Sequence, residues 1–97
     1  MASDDGPVRR VAVVQIVNEK GLHARASAKF AALAETFDAT VMVAKDAYRV
    51  NATSIMGLLT LAATQGSHIE IIAQGAEAEA AVGALERLVA ERFDEPR

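Results

Sequence analysis

The chain has 97 residues, of which 52% are hydrophobic and 4% aromatic, and its net charge is −3. This length predicts a single domain, residues 1–97, with a small aliphatic core. The absence of cysteine excludes disulfides and thiol catalysis, and negative charge with few aromatic residues argues against nucleic-acid binding. Residues 1–7 lack the apolar core of a signal peptide, and no apolar run could span a bilayer. We therefore expect a cytoplasmic protein without membrane insertion, beginning with a disordered or extended segment at 1–7.

The N-terminal half predicts a strand, a helix and a hairpin. Residues 9–17 are β-branched and partly alternating, as is typical of a strand. Helix formers fill residues 24–37, and short strands are expected at 40–44 and 48–51, with a turn between them. The apolar face of the helix consists of Phe30, Leu33, Ala34 and Phe37.

The C-terminal half predicts helix, strand and helix. Residues 54–63 form the second helix with Ser54 as its N-cap, residues 68–73 the last strand, and residues 77–93 a long helix ending in a frayed tail at 94–97. The inward-facing positions of that helix are Ala81, Leu85, Leu88 and Val89. The order βαββαβα, with helices on one face of a mainly antiparallel sheet, predicts a two-layer α+β fold.

His23 is the first candidate for chemistry, in the segment G-L-H-A-R-A-S. It lies between the turn glycine Gly21 and the start of a helix, where free N–H groups and the helix dipole favour an anion. An imidazole with a free lone pair can attack phosphorus, and Arg25 can pair with phosphate oxygens. The plainer alternative, in which His23 only caps the helix and Arg25 is solvated, remains open from spacing alone.

The charge distribution is compatible with an anionic ligand. Residues 8–60 contain seven basic and four acidic side chains, whereas the remainder contains nine acidic residues and three arginines. A mildly basic half on an acidic protein favours an anionic ligand or an acidic docking surface, although scattered solvated charge explains it equally well. His68 opens a strand after Gly66-Ser67 and is interpreted as an exposed residue at the edge of a loop. No metal-ligand spacing recurs, and the sequence shows no cofactor site.

The segment V-N-A-T-S-I-M-G-L-L-T-L, residues 50–61, is apolar around most of its predicted helix. In a two-layer domain some of these side chains must be exposed, and an exposed apolar patch usually docks a partner. Met56 suits a surface that meets several partners because methionine repacks easily. A helix buried on two sides is the alternative, but it is hard to build in so short a chain.

Together, G-L-H-A-R-A-S and the downstream S-I-M-G-L resemble the HPr family, the histidine phosphocarriers of the bacterial phosphotransferase system. The resemblance covers the chain from about Val8 to the last helix and implies an open-faced β-sandwich, a four-stranded antiparallel sheet with three helices on one face. It implies that His23 accepts a phosphoryl group at Nδ1 from enzyme I and donates it to enzyme IIA domains. The protein would then be a monomeric carrier rather than an independent enzyme.

The resemblance also assigns roles to other residues. Arg25 would neutralise the phosphate, with Ala24 and Arg25 forming its cradle. Ser54 matches the serine that HPr kinase/phosphorylase modifies in some members, and a phosphate at that cap would block docking without unfolding the domain. The implied docking face consists of Ile55, Met56 and Leu59 with Ser27 at the start of the first helix.

Three departures leave the branch of the family open. Ala26-Ser27 stands where many members have Pro-Ala, and Thr53 stands where many kinase-regulated members have lysine. The segments Phe37-Asp38-Ala39 and Phe93-Asp94-Glu95 are similar to the nitrogen-branch paralogue, whereas S-I-M-G-L is similar to the kinase-regulated kind. A mainly regulatory interaction domain, signalling by its phosphorylation state, is therefore the alternative function.

Overall fold

The computed structural model describes residues 8–97, so the expected N-terminal segment at 1–7 lies outside the described residues. Within that part the order of elements agrees with the sequence prediction. The strands are β1 (Arg9–Gln15), β2 (Thr40–Lys45), β3 (Tyr48–Asn51) and β4 (His68–Gln74), and the helices are α1 (Ala24–Glu35), α2 (Ile55–Thr60) and α3 (Ala78–Ala90). None of these helices is long and apolar enough to cross a membrane.

The four strands form one antiparallel sheet in the order β1-β4-β2-β3. Strand β4 lies in the middle, pairing Val11 with Ile72 on one side and Met42 with Ile72 on the other. Ile72 lies outside the core cluster, yet it is largely buried. One face of the sheet packs against the helices, so the predicted open-faced α+β sandwich is confirmed.

The core lies between the sheet and the helices. Alternating residues of the central strands point into it because side chains alternate across a strand. Helix α1 contributes Phe30 and Ala34, as predicted, while Leu33 and Phe37 pack at its margin. The largest fully buried apolar side chains include Ile16, Phe30, Leu58, Ile69, Ile71, Leu85 and Phe93.

The end of the chain departs from the prediction. The long helix was expected to run to Phe93, but α3 ends at Ala90. Arg92, Phe93 and Asp94 then adopt left-handed backbone conformations, with φ of 60°, 53° and 65°. Phe93 is fully buried by this turn. The hydrophobic gain from burying a phenylalanine, about 2–3 kcal/mol, offsets part of the strain of these three left-handed residues.

Candidate functional site

A tight turn fixes the start of α1. Gly21 has φ 69°, a left-handed conformation that glycine adopts without a steric penalty. The following N–H of Leu22 donates to the carbonyl of Ala63 at 2.9 Å, and the Leu22 side chain is buried. The chain then enters α1 at Ala24, with His23 in an extended conformation as the N-cap. His23 is thereby held at the helix N-terminus by a turn attached to the segment after α2.

Both ring nitrogens of His23 have partners. Nδ1 accepts a hydrogen bond from the backbone N–H of Arg25 at 3.2 Å, so His23 does cap the helix. Nε2 contacts Oε2 of Glu95, a residue 72 positions further along the chain. The His23 side chain is 27% exposed, so the ring remains accessible while it is held from both sides.

The surroundings of His23 form a shallow depression with mixed charge. Ala24 and Arg25 are exposed at the first turn of α1, where the positive end of the helix dipole favours an anion. The depression is lined by Glu19, Lys20, His23, Ala24, Arg25, Glu95, Pro96 and Arg97. Three basic side chains, Lys20, Arg25 and Arg97, and a helix end therefore lie around the space beside the imidazole.

Glu95 is the site residue that the sequence analysis missed. The tail at 94–97 was expected to fray, and this prediction is wrong. Lys29 Nζ donates to the carbonyl of Phe93 at 2.9 Å, and the N–H of Glu19 donates to the carbonyl of Arg97 at 3.1 Å. An isolated phenylalanine just after a helix is a signal that the chain is anchored there, because a buried phenylalanine stabilises strongly.

The Glu95 carboxyl group is stabilised in its ionised form. Burial raises the pKa of Glu95, but hydrogen bonds from Asn18 and His23, together with the electrostatic attraction of His23 and Lys20, hold the pKa below its ordinary value. A hydrogen bond donated to a carboxylate stabilises its charged form and therefore lowers its pKa. Near neutral pH the site therefore contains a negative charge directly beside the imidazole.

Ser54 is the N-cap of α2, as predicted. Its Oγ accepts a hydrogen bond from the N–H of Gly57 at 2.9 Å. Ser54 lies at the opposite end of α2 from Ala63, the residue that contacts the turn before His23. Helix α2 also packs against α1. Helix α2, which begins after Ser54, is thus connected to the turn before His23 through Ala63, which lies just beyond the end of the helix.

The apolar residues of α2 divide into a buried and an exposed set. Leu58 is fully buried, whereas Met56 is 72% exposed, Ile55 is 41% exposed and Leu59 is half-buried. The exposed apolar surface expected of this helix is therefore present. The expectation for Ser27 is wrong: this residue is fully buried, and its Oγ donates to the carbonyl of Leu22 at 3.2 Å. A side chain engaged inside the first turn of α1 cannot contact a partner.

His68 is exposed at the start of β4, opposite Gln15 of β1. Within residues 8–97, no three histidine, aspartate or glutamate side chains are arranged to hold a metal ion. The interpretation of His68 as an exposed residue next to a loop agrees with its position as the first residue of β4.

Comparison with known proteins identifies the family. The family model described as "PTS HPr component phosphorylation site" matches residues 11–91. The phosphocarrier protein HPr of Treponema pallidum is 41% identical over 85 residues, which cover 88% of this chain and 97% of that protein. The phosphocarrier protein NPr of Shewanella violacea is 42% identical over 82 residues, covering 84% of this chain and 90% of that protein.

A solved structure agrees. The crystal structure of HPr-C-His from Thermoanaerobacter tengcongensis superposes with a TM-score of 0.87 at 38% identity, covering 91% of this chain and 99% of that one. Sequence and fold thus lead to the same family over nearly the whole described chain. The protein belongs to the HPr family and is a phosphocarrier of the phosphotransferase system rather than an independent enzyme.

Proposed function

We propose that His23 is the residue that carries the phosphoryl group, bonded through Nδ1. The observation that carries this proposal is the contact between Nδ1 and the N–H of Arg25. A nitrogen that accepts from a backbone N–H has its lone pair directed toward the first turn of the helix. A phosphoryl group bonded there would lie at the positive helix end, beside the exposed guanidinium of Arg25.

The transfer is a displacement at phosphorus. The hydrogen bond from the Arg25 N–H to Nδ1 opens, and the freed Nδ1 lone pair forms the new N–P bond while the bond between phosphorus and the donor breaks, with that electron pair staying on the donor. Arg25 and the backbone of Ala24 and Arg25 then balance the charge of the bound phosphoryl oxygens. We propose phosphoenolpyruvate-charged enzyme I as the donor and enzyme IIA domains as the acceptors, because these partners are implied by the family resemblance.

The partner surface that we propose consists of the exposed residues of α2 beside the His23 turn. Met56 and Ile55 expose apolar surface next to Leu59, and exposed apolar patches commonly mark interaction sites. The same surface would serve donor and acceptor in turn, with the carrier acting as a monomer. Methionine favours such use because its flexible side chain adapts to different partners.

Ser54 is proposed as a regulatory phosphorylation site for HPr kinase/phosphorylase. Its Oγ already accepts from a helix N–H, and a phosphate would keep acceptor oxygens at that helix end. The added charge would stand immediately before Ile55 and Met56. It would therefore oppose docking to an apolar partner surface while leaving the fold intact.

The second candidate is a mainly regulatory role in the nitrogen branch, in which phosphorylation of the same His23 serves as a signal. It is favoured by the 42% identity to a protein named phosphocarrier protein NPr. Both roles require a phosphohistidine, so they differ in partners rather than in chemistry. The two roles are distinguished by an experiment in which enzymes of the sugar branch and of the nitrogen branch compete to phosphorylate the chain.

The test begins with phosphoenolpyruvate, magnesium and an enzyme I of demonstrated activity, followed by intact mass measurement. We expect one added phosphate, removed by acid and retained in base, as is characteristic of phosphohistidine. His23→Ala should take up no phosphate while remaining folded. His68→Ala, the matched control, should be phosphorylated like the wild type. Phosphate uptake by His23→Ala would refute the assignment.

A further inference from the structure

A buried asparagine connects the turn before α1 to the end of the chain. Asn18 is fully buried, and its Nδ2 donates to the carbonyl of Gly21 at 2.8 Å and to Oε1 of Glu95 at 3.0 Å. Both partners are acceptors, so they fix the orientation of the amide. Oδ1 of Asn18 has no hydrogen-bond partner within residues 8–97. Leaving a buried acceptor unpaired costs about 1–3 kcal/mol, a cost that the two Nδ2 contacts must offset.

The two contacts of His23 select one tautomer. A backbone N–H can only donate, so Nδ1 must be the accepting nitrogen in its contact with Arg25. Nε2 must then carry the proton that it shares with the Glu95 carboxylate. The proton is held on the side of the ring away from the helix, and the lone pair lies on the side facing it.

From this arrangement we infer that Glu95, oriented by Asn18, is a positioning residue for phosphoryl transfer. It holds the His23 ring in the Nε2–H tautomer, which leaves Nδ1 unprotonated, so that its lone pair can attack phosphorus once the hydrogen bond from the Arg25 N–H opens. The inference rests on the proposed role of His23 as acceptor and adds a residue that acts through it. Asn18 contributes by fixing the carboxylate from behind, since its Nδ2 binds the oxygen that does not face the ring.

The same carboxylate assists the chemical step. When the Nδ1 lone pair bonds to phosphorus and the donor departs with its electron pair, positive charge develops on the ring, and the proton stays on Nε2. A carboxylate hydrogen-bonded to the opposite nitrogen stabilises that charge, as in the histidine–aspartate pairs of hydrolases. The negative charge of Glu95 would also repel the phosphoryl group. Lys20, Arg25 and Arg97, which line the same depression, offset this repulsion.

The spectroscopic test uses the unphosphorylated protein with ¹⁵N-labelled histidine. We expect the wild type to show a His23 Nε2–H proton that exchanges slowly enough to be observed, with Nδ1 unprotonated. In Glu95→Ala this proton signal should be lost to solvent exchange. Glu95→Gln, which keeps an acceptor oxygen, should restore it. A wild-type ring protonated at Nδ1, or an unchanged signal in Glu95→Ala, would overturn the inference.

The kinetic test measures the rate of phosphate uptake from phosphorylated enzyme I. Glu95→Ala should lower this rate by roughly tenfold, the scale on which losing the partner that orients a functional histidine acts. Glu91→Ala, which removes an exposed carboxylate from the same end of the chain, should leave it unchanged. A rate in Glu95→Ala equal to that of Glu91→Ala would overturn the inference.

The two measurements separate this inference from the proposed function. If the wild type takes up no phosphate, the function of His23 as acceptor fails, whereas the Nε2–H signal still decides whether Glu95 orients the ring. Asn18→Ala should weaken the same signal. Because that substitution could unfold the turn, thermal unfolding is followed in parallel, and the Glu95 variants carry the test if Asn18→Ala does not fold.

Discussion

The backbone of Gly21 lies against the carbonyl oxygen of Ala63, so close that a Cβ atom on Gly21 would stand 2.5 Å from that oxygen. The same oxygen accepts the N–H of Leu22 at 2.9 Å. The turn that delivers His23 to the start of α1 is therefore fastened to the residues that follow α2. The geometry of the proposed phosphoryl site depends on a contact between two segments about forty residues apart.

Gly21→Ala should destabilise the protein for two reasons. The left-handed backbone costs alanine about 1–2 kcal/mol, and the new methyl group would collide with Ala63. Gly66 is a matched control, since its φ is also positive, 91°, but a Cβ there meets nothing within 4 Å. Urea unfolding should show a larger loss for Gly21→Ala than for Gly66→Ala. Equal losses would contradict the close approach.

Ser54 variants should separate stability from docking. Ser54→Ala removes the acceptor for the Gly57 N–H and should lower the free energy of unfolding by about 1 kcal/mol. Ser54→Asp keeps a cap acceptor, so its stability should stay close to that of the wild type. The added charge should nevertheless slow phosphate transfer from enzyme I. An unchanged transfer rate in Ser54→Asp would remove the proposed switch.

Met56→Ala should affect partners rather than the fold. Because this side chain is 72% exposed, the free energy of unfolding should change by less than about 0.5 kcal/mol. If Met56 anchors the interface, its loss should cost about 1 kcal/mol of binding, which corresponds to roughly a fivefold rise in KM for transfer. Tyr48→Ala on β3, exposed to 67%, is the control. Equal effects of the two variants would refute the proposed surface.

Glu95 should stabilise the fold only while it is ionised. Its folded-state pKa lies below the ordinary value of 4.5, so its contribution is complete above that value and is lost as the pH falls through the lowered pKa. The difference in free energy of unfolding between wild type and Glu95→Ala should therefore shrink in acid. Between Glu95→Gln and Glu95→Ala it should stay constant, because glutamine does not titrate. If the difference between wild type and Glu95→Ala also stayed constant with pH, the lowered pKa of Glu95 would be contradicted.

Much of the fold follows from local patterns. Alternation in residues 9–17, the helical face of Phe30 and Ala34, and Ser54 before an apolar run all predict elements that the structure contains. These elements can be predicted because hydrophobic periodicity and helix capping depend on residues only a few positions apart in the sequence. The His23 position at a helix start was predictable for the same reason, since a turn glycine and a helix boundary are local features.

Three features depended on tertiary packing. Ser27 has a polar side chain near the start of α1, yet it is buried because the turn through Leu22 folds over it. The chain leaves α3 at Ala90 rather than Phe93, and the turn that follows buries the Phe93 side chain in the core. That turn carries Glu95 back to His23.

By itself the sequence determined the class of fold, the order of elements and the histidine at a helix N-terminus, because each depends on neighbours along the chain. Only the tertiary structure decided the partner of that histidine. Glu95 is 72 positions away from His23, and no local sequence pattern predicts which residues the C-terminal tail will contact. That contact exists because Phe93 is buried in a core built by the whole chain and Asn18 is positioned to receive the carboxylate beyond it.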